Sequence, residues 1–324
     1  MKDEKNIIII DSESAGERLD LFLAERLGIT RSQIQKLITN NGVTVNKEAP
    51  RKSGQKLVIG DQIQIQTNDS TTDKTLITEA PVYPTFTFKD IKILEETPTY
   101  LIIEKPWGML THSTERREKD SLAELLVQKY PELTKIGEDL LRPGIVHRLD
   151  KEASGLLVIP RTEATFDHLK NLFKTRQIDK EYLVLVHGQV EKDWNEIKFP
   201  LTRSKTSERI AAIPQTMRGR ATEEGKKAET EFWVEKRFVN FTLLKVKIHT
   251  GRMHQIRAHF LAYNHPVVGD PLYFQKKNKQ VWDKKLGRLF LHCHELSFVD
   301  LEGDKKSYLS SLPKELEVFL KALK

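Results

Sequence analysis

Apolar residues recur at helical spacing in two segments near the start of the chain. The first segment carries Leu19, Leu23 and Leu27, and the second carries Ile34, Leu37 and Ile38. Thr30 and Gln33 form a predicted capping box for the second helix, and Gly42 is placed to end it in a left-handed conformation. The pattern predicts two short helices that pack through their apolar faces.

The pattern then changes to alternating apolar and polar residues, which predicts strands. Segments 43–45 and 63–65 alternate in this way, and Gly60-Asp61 supplies a turn before the second of them. A polar stretch carrying Pro81 and Pro84 follows and shows no periodicity, as expected of an extended linker. We therefore expect a compact ααβ domain at residues 1–70, a linker at 71–88 and a larger domain at 89–324.

The larger domain is rich in predicted strands and has few predicted helices. Ile145-Val146 and Leu156–Ile159 have the apolar character of strands, with Ser154-Gly155 as a turn between them. Segments 183–186 and 241–248 are two further predicted strands, and a helix is predicted from Met253 to Leu261. This mixture predicts an α+β domain.

Composition sets limits on the class of protein. The 324 residues suffice for about two domains, and a net charge of +7 weakly favours a polyanionic partner. The single cysteine, Cys293, excludes an intrachain disulfide. No run approaches the ~18 apolar residues of a membrane span, and the apolar part of residues 1–14 is too short for a secretory signal. We expect a soluble, cytoplasmic protein that acts as a monomer.

Asp150 is the first candidate for a catalytic group. It follows an apolar segment within a predicted loop, where rigid scaffolds commonly present catalytic side chains. Arg148 lies two residues earlier, and an ion pair between the two side chains is an equally good interpretation of this segment alone.

Several motifs in one order resemble the RluA-type pseudouridine synthases. The central motif is His147–Asp150 followed by Ser154–Leu157. The other motifs are Glu104–Met109, Lys180–Tyr182, Thr250–His259, Gly269–Tyr273 and Leu291–Cys293. The resemblance spans roughly residues 90 to 300, and agreement over several motifs is more specific than any one of them. The chain departs from the family pattern at Glu104, where Asn is usual, at Ala153, where Thr is usual, and at Pro160-Arg161, where Ala-Lys is common.

The resemblance implies a cofactor-free isomerisation of uridine to pseudouridine in RNA. It assigns Asp150 a nucleophilic or proton-abstracting role at the ribose, and it implies that Arg257 pairs with Asp150 and holds it ionised. Tyr182 would lie against the uracil and handle the proton of carbon 5, if its pKa is lowered or a water relays the proton. Arg148 would enter the space that the flipped base vacates. A mainly antiparallel sheet with flanking helices is the implied architecture of the catalytic domain.

The N-terminal region resembles the αL RNA-binding motif of a small-subunit ribosomal protein. Arg18–Asp20, Thr30–Ser32 and Gly42–Asn46 carry the match, and residues 18–66 hold eight basic residues against four acidic ones. Arg18, Arg31 and Lys36 are candidates for phosphate contacts, which position RNA without reading its bases. In the catalytic domain, His147, Arg252 and His254 are further candidates for RNA contacts. The added RNA-binding domain favours large-subunit ribosomal RNA over transfer RNA as the partner.

Three alternatives remain open from the residues. Basic insertions at 205–227 and 276–288, the second with Trp282, suit stacking on unpaired bases, although exposed charged loops are commoner. A metal-dependent RNA hydrolase has support only from several histidines, whose spacing fits no zinc motif, so we predict no metal site. A catalytically inactive RNA-binding or ribosome-assembly protein is the other alternative.

Overall fold

The fold was examined in a computed structural model of the chain. It describes residues 7–12, 14–27, 31–39, 42–65, 84–113, 120–139, 141–203, 209–214, 225–274 and 281–324. The chain forms two compact units, Met1–Glu79 and Ala80–Lys324. The predicted boundary near residue 70 and most of the predicted linker lie outside the described residues, so the domain limits remain a prediction. None of the described helices has both the length and the apolar character needed to cross a membrane.

The N-terminal unit combines two helices with a three-stranded antiparallel sheet of order β1-β3-β2. Its elements are β1 (Ile7–Ile9), α1 (Leu19–Leu27), α2 (Arg31–Thr39), β2 (Val43–Val45) and β3 (Gln62–Ile65). The predicted helices and the two predicted strands are confirmed, and β1 was missed. Its three consecutive isoleucines do not alternate with polar residues, so period-two patterning gave no signal there.

Two details of the N-terminal prediction were wrong. Leu27 is 39% exposed, so the apolar face of α1 that enters the core rests on Leu19 and Leu23. Gly42 does not adopt a positive φ; its amide donates to the carbonyl of Leu37, and a Cβ there would come within 2.8 Å of the Leu37 side chain. Close packing against Leu37 therefore favours glycine at this position. Thr30 and the side chain of Gln33 lie outside the described residues, which leaves the capping box untested.

The second unit is built around a mixed, mainly antiparallel sheet. Its strands are β4 (Lys92–Glu96), β5 (Tyr100–Lys105), β6 (Ser154–Pro160), β7 (Asp179–His187), β8 (Trp194–Ile197), β9 (Leu201–Arg203), β10 (Ile210–Ala212), β11 (Thr230–Arg237), β12 (Phe241–Ile248), β13 (Leu291–Val299) and β14 (Lys305–Leu309). Its helices are α3 (Leu122–Lys129), α4 (Glu163–Thr175), α5 (Gln255–Ala262), α6 (Val281–Leu286) and α7 (Lys314–Lys321). The expected α+β class and mainly antiparallel sheet are confirmed.

The order of the large sheet is β4-β5-β6-β13-β7-β12-β11-β8, with β14 paired to β13, while β9 and β10 form a separate hairpin. Among the described strands, β6 and β13 form a parallel pair and the other pairs are antiparallel. Gly155 makes this junction possible, since a Cβ at that position would lie 2.3 Å from the carbonyl oxygen of Cys293. The start of β6, immediately after the Asp150 loop, is thereby held against the middle of the sheet.

Several predicted boundaries in this unit need correction. Ile145-Val146 belongs to no strand, and Ser154-Gly155 is the beginning of β6 instead of a turn. Short apolar runs cannot by themselves distinguish a strand from a loop packed against a core. The strand predicted at 241–248 coincides with β12, and the predicted helix is α5, which starts two residues later than expected.

Candidate active site

The loop that carries Asp150 is held rigidly from within the fold. Leu149 is buried, and Thr111 fixes its backbone on both sides. The Leu149 amide donates to Thr111 Oγ1 at 3.3 Å, and the same hydroxyl donates to the Leu149 carbonyl at 2.9 Å. The amide of Ala153 donates to the carbonyl of Asp150 at 3.1 Å. Rigid support of this kind is what a reacting group requires for accurate positioning. Nothing in the sequence around Thr111 pointed to this role.

Lys105 supports the same loop from the end of β5. Its buried ammonium group donates to the carbonyl of Met109 at 2.8 Å and lies 3.4 Å from the carbonyl of Lys151. Burial lowers the pKa of Lys105 to about 7, against the opposing charges of Glu152 and Asp150. The Lys105 side chain therefore joins two segments that flank the Asp150 loop. Its position in the Glu104–Met109 motif was the available sequence signal.

Asp150 lies at the cleft surface with a cation behind it. Its carboxylate is 15% exposed, and Arg257 Nη1 approaches Asp150 Oδ2 at 3.5 Å. The shorter contacts of Arg257 are with Asp270, at 2.7 and 2.8 Å, and with Glu152, at 3.0 Å. The implied pair of Arg257 with Asp150 is present, but Arg257 is held in place chiefly by Asp270.

The buried guanidinium of Arg257 forms ion pairs with three carboxylates. Its side chain is 1% exposed, and Asp270 is fully buried. Burial by itself lowers the pKa of Arg257, but Asp270, followed by Asp150 and Glu152, raises it, so the net shift is upward. Arg257 is therefore a permanent cation at the base of the site. The partnership with Asp270 was missed, although Asp270 stands in the Gly269–Tyr273 motif.

Tyr182 lines the cleft from β7 and is 4% exposed. Burial, followed by the charges of Cys293 and Asp150, raises the pKa of its phenol well above the usual value. The hydroxyl is consequently protonated at neutral pH. The lowered pKa that a resting phenolate base would require is contradicted.

A cleft of about 520 Å³ opens in front of these residues. Seven Lys or Arg residues line it against two Asp residues, so the cleft attracts anions. Arg148 is exposed there, and its Nη1 lies 3.4 Å from His112 Nε2. Within the described ranges no carboxylate forms an ion pair with Arg148, so its pairing with Asp150 is not observed.

The two candidate histidines have structural partners. His147 is buried, its Nε2 accepts from the amide of Val158 at 3.0 Å, and its ring stacks on Phe173 at 4.6 Å. Burial, followed by the charge of Lys180, lowers its pKa well below the usual range. His254 directly precedes α5, and its Nδ1 lies 3.0 Å from the Tyr273 hydroxyl. His147 is thus a neutral support of the Asp150 loop.

The remaining RNA-contact candidates lie in different parts of the chain. Arg18 and Arg31 both donate to Asp20, at 3.0 and 2.7 Å, and each side chain remains more than 40% exposed while Asp20 is fully buried. The side chain of Lys36 lies outside the described residues. Arg252 is exposed at the cleft, with its Nε 3.4 Å from the Lys227 carbonyl. The buried carboxylate of Asp20 therefore holds two partly exposed guanidinium groups in place on the N-terminal unit.

Two of the histidines that raised the metal-site alternative have hydrogen-bond partners within the fold. His249 lies 2.9 Å from Glu231, and His259 lies 2.9 Å from both Thr230 and the Phe199 carbonyl. In the part of the chain that the structure describes, no three His, Cys, Asp or Glu side chains are grouped so as to hold a metal ion.

Trp282 of the second basic insertion has aromatic partners within the fold. Its ring packs edge-on against Phe241 and Phe319, at centroid distances of 6.2 and 5.9 Å. The Trp282 side chain is therefore a partly buried member of an apolar cluster. Residues 205–208, 215–224 and 276–280 of the two insertions lie outside the described residues.

Comparison with known proteins identifies two families along the chain. Residues 99–262 match the family described as RNA pseudouridylate synthase, and residues 17–63 match the S4 domain. An RNA pseudouridine synthase of Aquifex aeolicus, itself uncharacterised, is 37% identical over 287 residues, which cover 88% of this chain and 84% of that protein. Ribosomal large subunit pseudouridine synthase D of Buchnera aphidicola is 31% identical over 98% of both chains.

Ribosomal large subunit pseudouridine synthase C of Haemophilus influenzae is 30% identical, over 98% of this chain and 95% of that protein. Among solved structures, human RNA pseudouridylate synthase domain containing 1 superimposes with a TM-score of 0.57. It is 22% identical and covers 72% of this chain and 87% of its own. That structural likeness supports the fold.

Proposed function

The chain belongs to the RNA pseudouridylate synthase family, whose members are isomerases, and we propose that it modifies uridines of large-subunit ribosomal RNA through Asp150. The observation that carries the proposal is the rigidly held, partly exposed Asp150 carboxylate in a basic cleft, backed by the buried cation Arg257. A carboxylate held beside a buried cation can act at the ribose of a bound nucleotide. The S4 domain at residues 17–63 supplies RNA binding.

The proposed reaction needs no cofactor to balance. The bond from ribose carbon 1′ to uracil nitrogen 1 breaks, a bond from carbon 1′ to uracil carbon 5 forms, and the hydrogen of carbon 5 is replaced by one on nitrogen 1. Asp150 acts either as the nucleophile at carbon 1′ or as the base that removes a ribose proton. In both routes Arg257 holds the carboxylate in position and balances its charge.

Arg148 is proposed to assist base flipping. A uridine within a helix must leave the stack before its glycosidic bond can reach Asp150, at a cost of a few kcal/mol. The exposed guanidinium of Arg148 lies two residues before Asp150 and has no carboxylate partner among the described residues. It is therefore available to donate hydrogen bonds to the base left without its partner.

Tyr182 is proposed to contact the uracil and relay the carbon 5 proton. Because burial keeps the phenol protonated, the hydroxyl must pass its own proton on as it accepts another, for example through a water molecule. We expect Tyr182→Phe to bind RNA within a few-fold of the wild-type affinity and to lower the single-turnover rate by about 10²-fold or more. Quench-flow measurement of pseudouridine formation at saturating RNA tests this. A wild-type rate would assign the role to the ring alone.

The RNA target is proposed from the combination of domains. The relatives named ribosomal large subunit pseudouridine synthases align over nearly the whole chain, S4 domain included. The decisive experiment maps pseudouridines in ribosomal and transfer RNA from cells with and without the protein, and repeats the reaction in vitro with EDTA present. We expect RNA from cells without the protein to lack a pseudouridine in the large-subunit RNA. We also expect the wild-type chain to introduce that pseudouridine in vitro in the presence of EDTA. Unchanged maps would favour the inactive assembly protein.

Removal of the N-terminal unit should separate binding from chemistry. A fragment from about Phe88 to Lys324 retains Asp150, Tyr182 and Arg257 and loses Arg18 and Arg31. We expect it to form pseudouridine at saturating RNA, with weaker affinity and a salt dependence flatter by roughly 0.7 to 0.9 per lost phosphate contact. Single-turnover assays of both proteins across a salt series provide the measurement. A folded fragment that binds RNA without any turnover would show that the N-terminal unit completes the active site.

A further inference from the structure

The end of α4 forms a cationic segment on the rim of the cleft. Lys174 and Arg176 are exposed, and both line the cleft beside Asp150. In the described ranges neither side chain forms an ion pair, whereas the neighbouring Lys247 is bound to Asp179 at 2.6 Å. Two cations are thus left without partners at the mouth of a cleft that already carries excess positive charge.

The backbone at Arg176 has an unusual conformation for its residue type. Arg176 ends α4 with φ 61° and ψ 37°, in the left-handed region. The following amide, that of Gln177, donates to the Leu172 carbonyl at 2.9 Å, as in the common helix ending that favours glycine. Arginine is strained there, so its backbone conformation gives no reason for an arginine at this position. Non-glycine residues in such conformations cluster at functional sites.

The segment is fixed relative to the catalytic loop. Phe173 stacks on the ring of His147, and that ring accepts a hydrogen bond from the amide of Val158 in β6. Two residues separate His147 from Asp150, so the end of α4 and the reacting carboxylate are parts of one packed assembly. A ligand bound by Lys174 and Arg176 would therefore have a defined position relative to Asp150.

The charges that face the segment leave it positive. Arg176 contributes to lowering the pKa of Glu229, but Lys227 is the main cause and pairs with Glu229 at 2.8 Å. Asp179 is likewise paired, with Lys247. Helix termini also favour cations at their carboxyl end, and this effect acts on both Lys174 and Arg176. It accounts for a positive charge there but not for an arginine in the left-handed conformation that favours glycine.

We propose that the end of α4 is a binding site for RNA backbone phosphates next to the target nucleotide, formed by Lys174 and Arg176. The guanidinium and the ammonium group would each neutralise one phosphate and set the register of the strand against Asp150. The inference rests on the proposed function, since it assigns the cleft to RNA. It adds a contact site outside the motifs His147–Asp150, Lys180–Tyr182 and Thr250–His259.

The test compares full-length variants in binding a short fluorescein-labelled stem-loop RNA with uridines in its loop. Anisotropy titrations over a KCl series give the salt dependence of the dissociation constant. We expect Lys174→Ala and Arg176→Gly each to flatten the slope by about 0.7 to 0.9, and the double variant by about twice as much. Lys129→Ala is the matched control, because Lys129 is also an exposed lysine in a last helical turn but is not a cleft residue.

Thermal unfolding distinguishes a binding role from a structural one. Glycine relieves the left-handed strain, so Arg176→Gly should melt at the wild-type temperature or above it while binding RNA more weakly. A wild-type salt slope in the double variant would overturn the site, as would an equal loss of slope in Lys129→Ala. Pseudouridine formation is measured separately: if the wild-type chain modifies no RNA, the proposed function fails while the slopes still decide the phosphate site.

Discussion

Asp150→Asn is expected to abolish pseudouridine formation, with a fall in single-turnover rate on the order of 10⁴-fold or more. The amide keeps the size of the carboxylate but removes the negative charge and the nucleophilic or basic oxygen. Affinity for RNA should stay within a few-fold of wild type, because the cations that line the cleft are unchanged. The measurement is pseudouridine formation at saturating RNA, alongside binding of the same RNA.

Asp179→Asn provides the matched control for this experiment. Asp179 also lines the cleft and carries a carboxylate, but it is exposed and paired with Lys247 instead of Arg257. Its substitution should leave the chemical step close to wild type. Turnover by Asp150→Asn at a rate comparable to that of Asp179→Asn would refute a chemical role for Asp150.

Arg257→Met should cause the largest loss of stability among the site variants. Removal of the guanidinium leaves Asp270 fully buried without its cation and deprives Asp150 and Glu152 of the same partner. Loss of one member of a buried ion pair typically costs about 3–5 kcal/mol, because the remaining charge is uncompensated. We expect a marked fall in the free energy of unfolding, measured by denaturant titration, and loss of activity.

The double variant Arg257→Met/Asp270→Asn separates stability from catalysis. Asparagine keeps an oxygen able to accept from the amides of Leu272 and Tyr273, which Asp270 binds at 2.8 Å, and it removes the buried charge. The double variant should therefore recover part of the stability lost in Arg257→Met, while activity stays low because Asp150 still lacks its cation. Equal stability of the single and double variants would contradict the uncompensated charge as the cause.

Local pattern was sufficient for elements whose two faces differ in polarity. Strand β12 was predicted with its observed limits, since polar and apolar residues alternate through much of it, and the inner face of α1 was read from Leu19 and Leu23. The same reasoning failed at Ile145-Val146, which are apolar because they line the cleft and pack on the core without forming a strand. Packing against the core, not strand geometry, explains those two residues.

The sequence by itself indicated the family, because its motifs and their order are local properties of the chain. Through that resemblance it also gave the mainly antiparallel α+β class and the candidates Asp150, Tyr182 and Arg257, whose roles stay a prediction. The tertiary structure alone decided that Asp270 holds Arg257, that burial raises the pKa of Tyr182 and that Arg176 lies at the cleft. Each of these depends on groups brought together from distant segments by the strand order. Burial and ion pairing are properties of that assembled environment, and no window of sequence contains them.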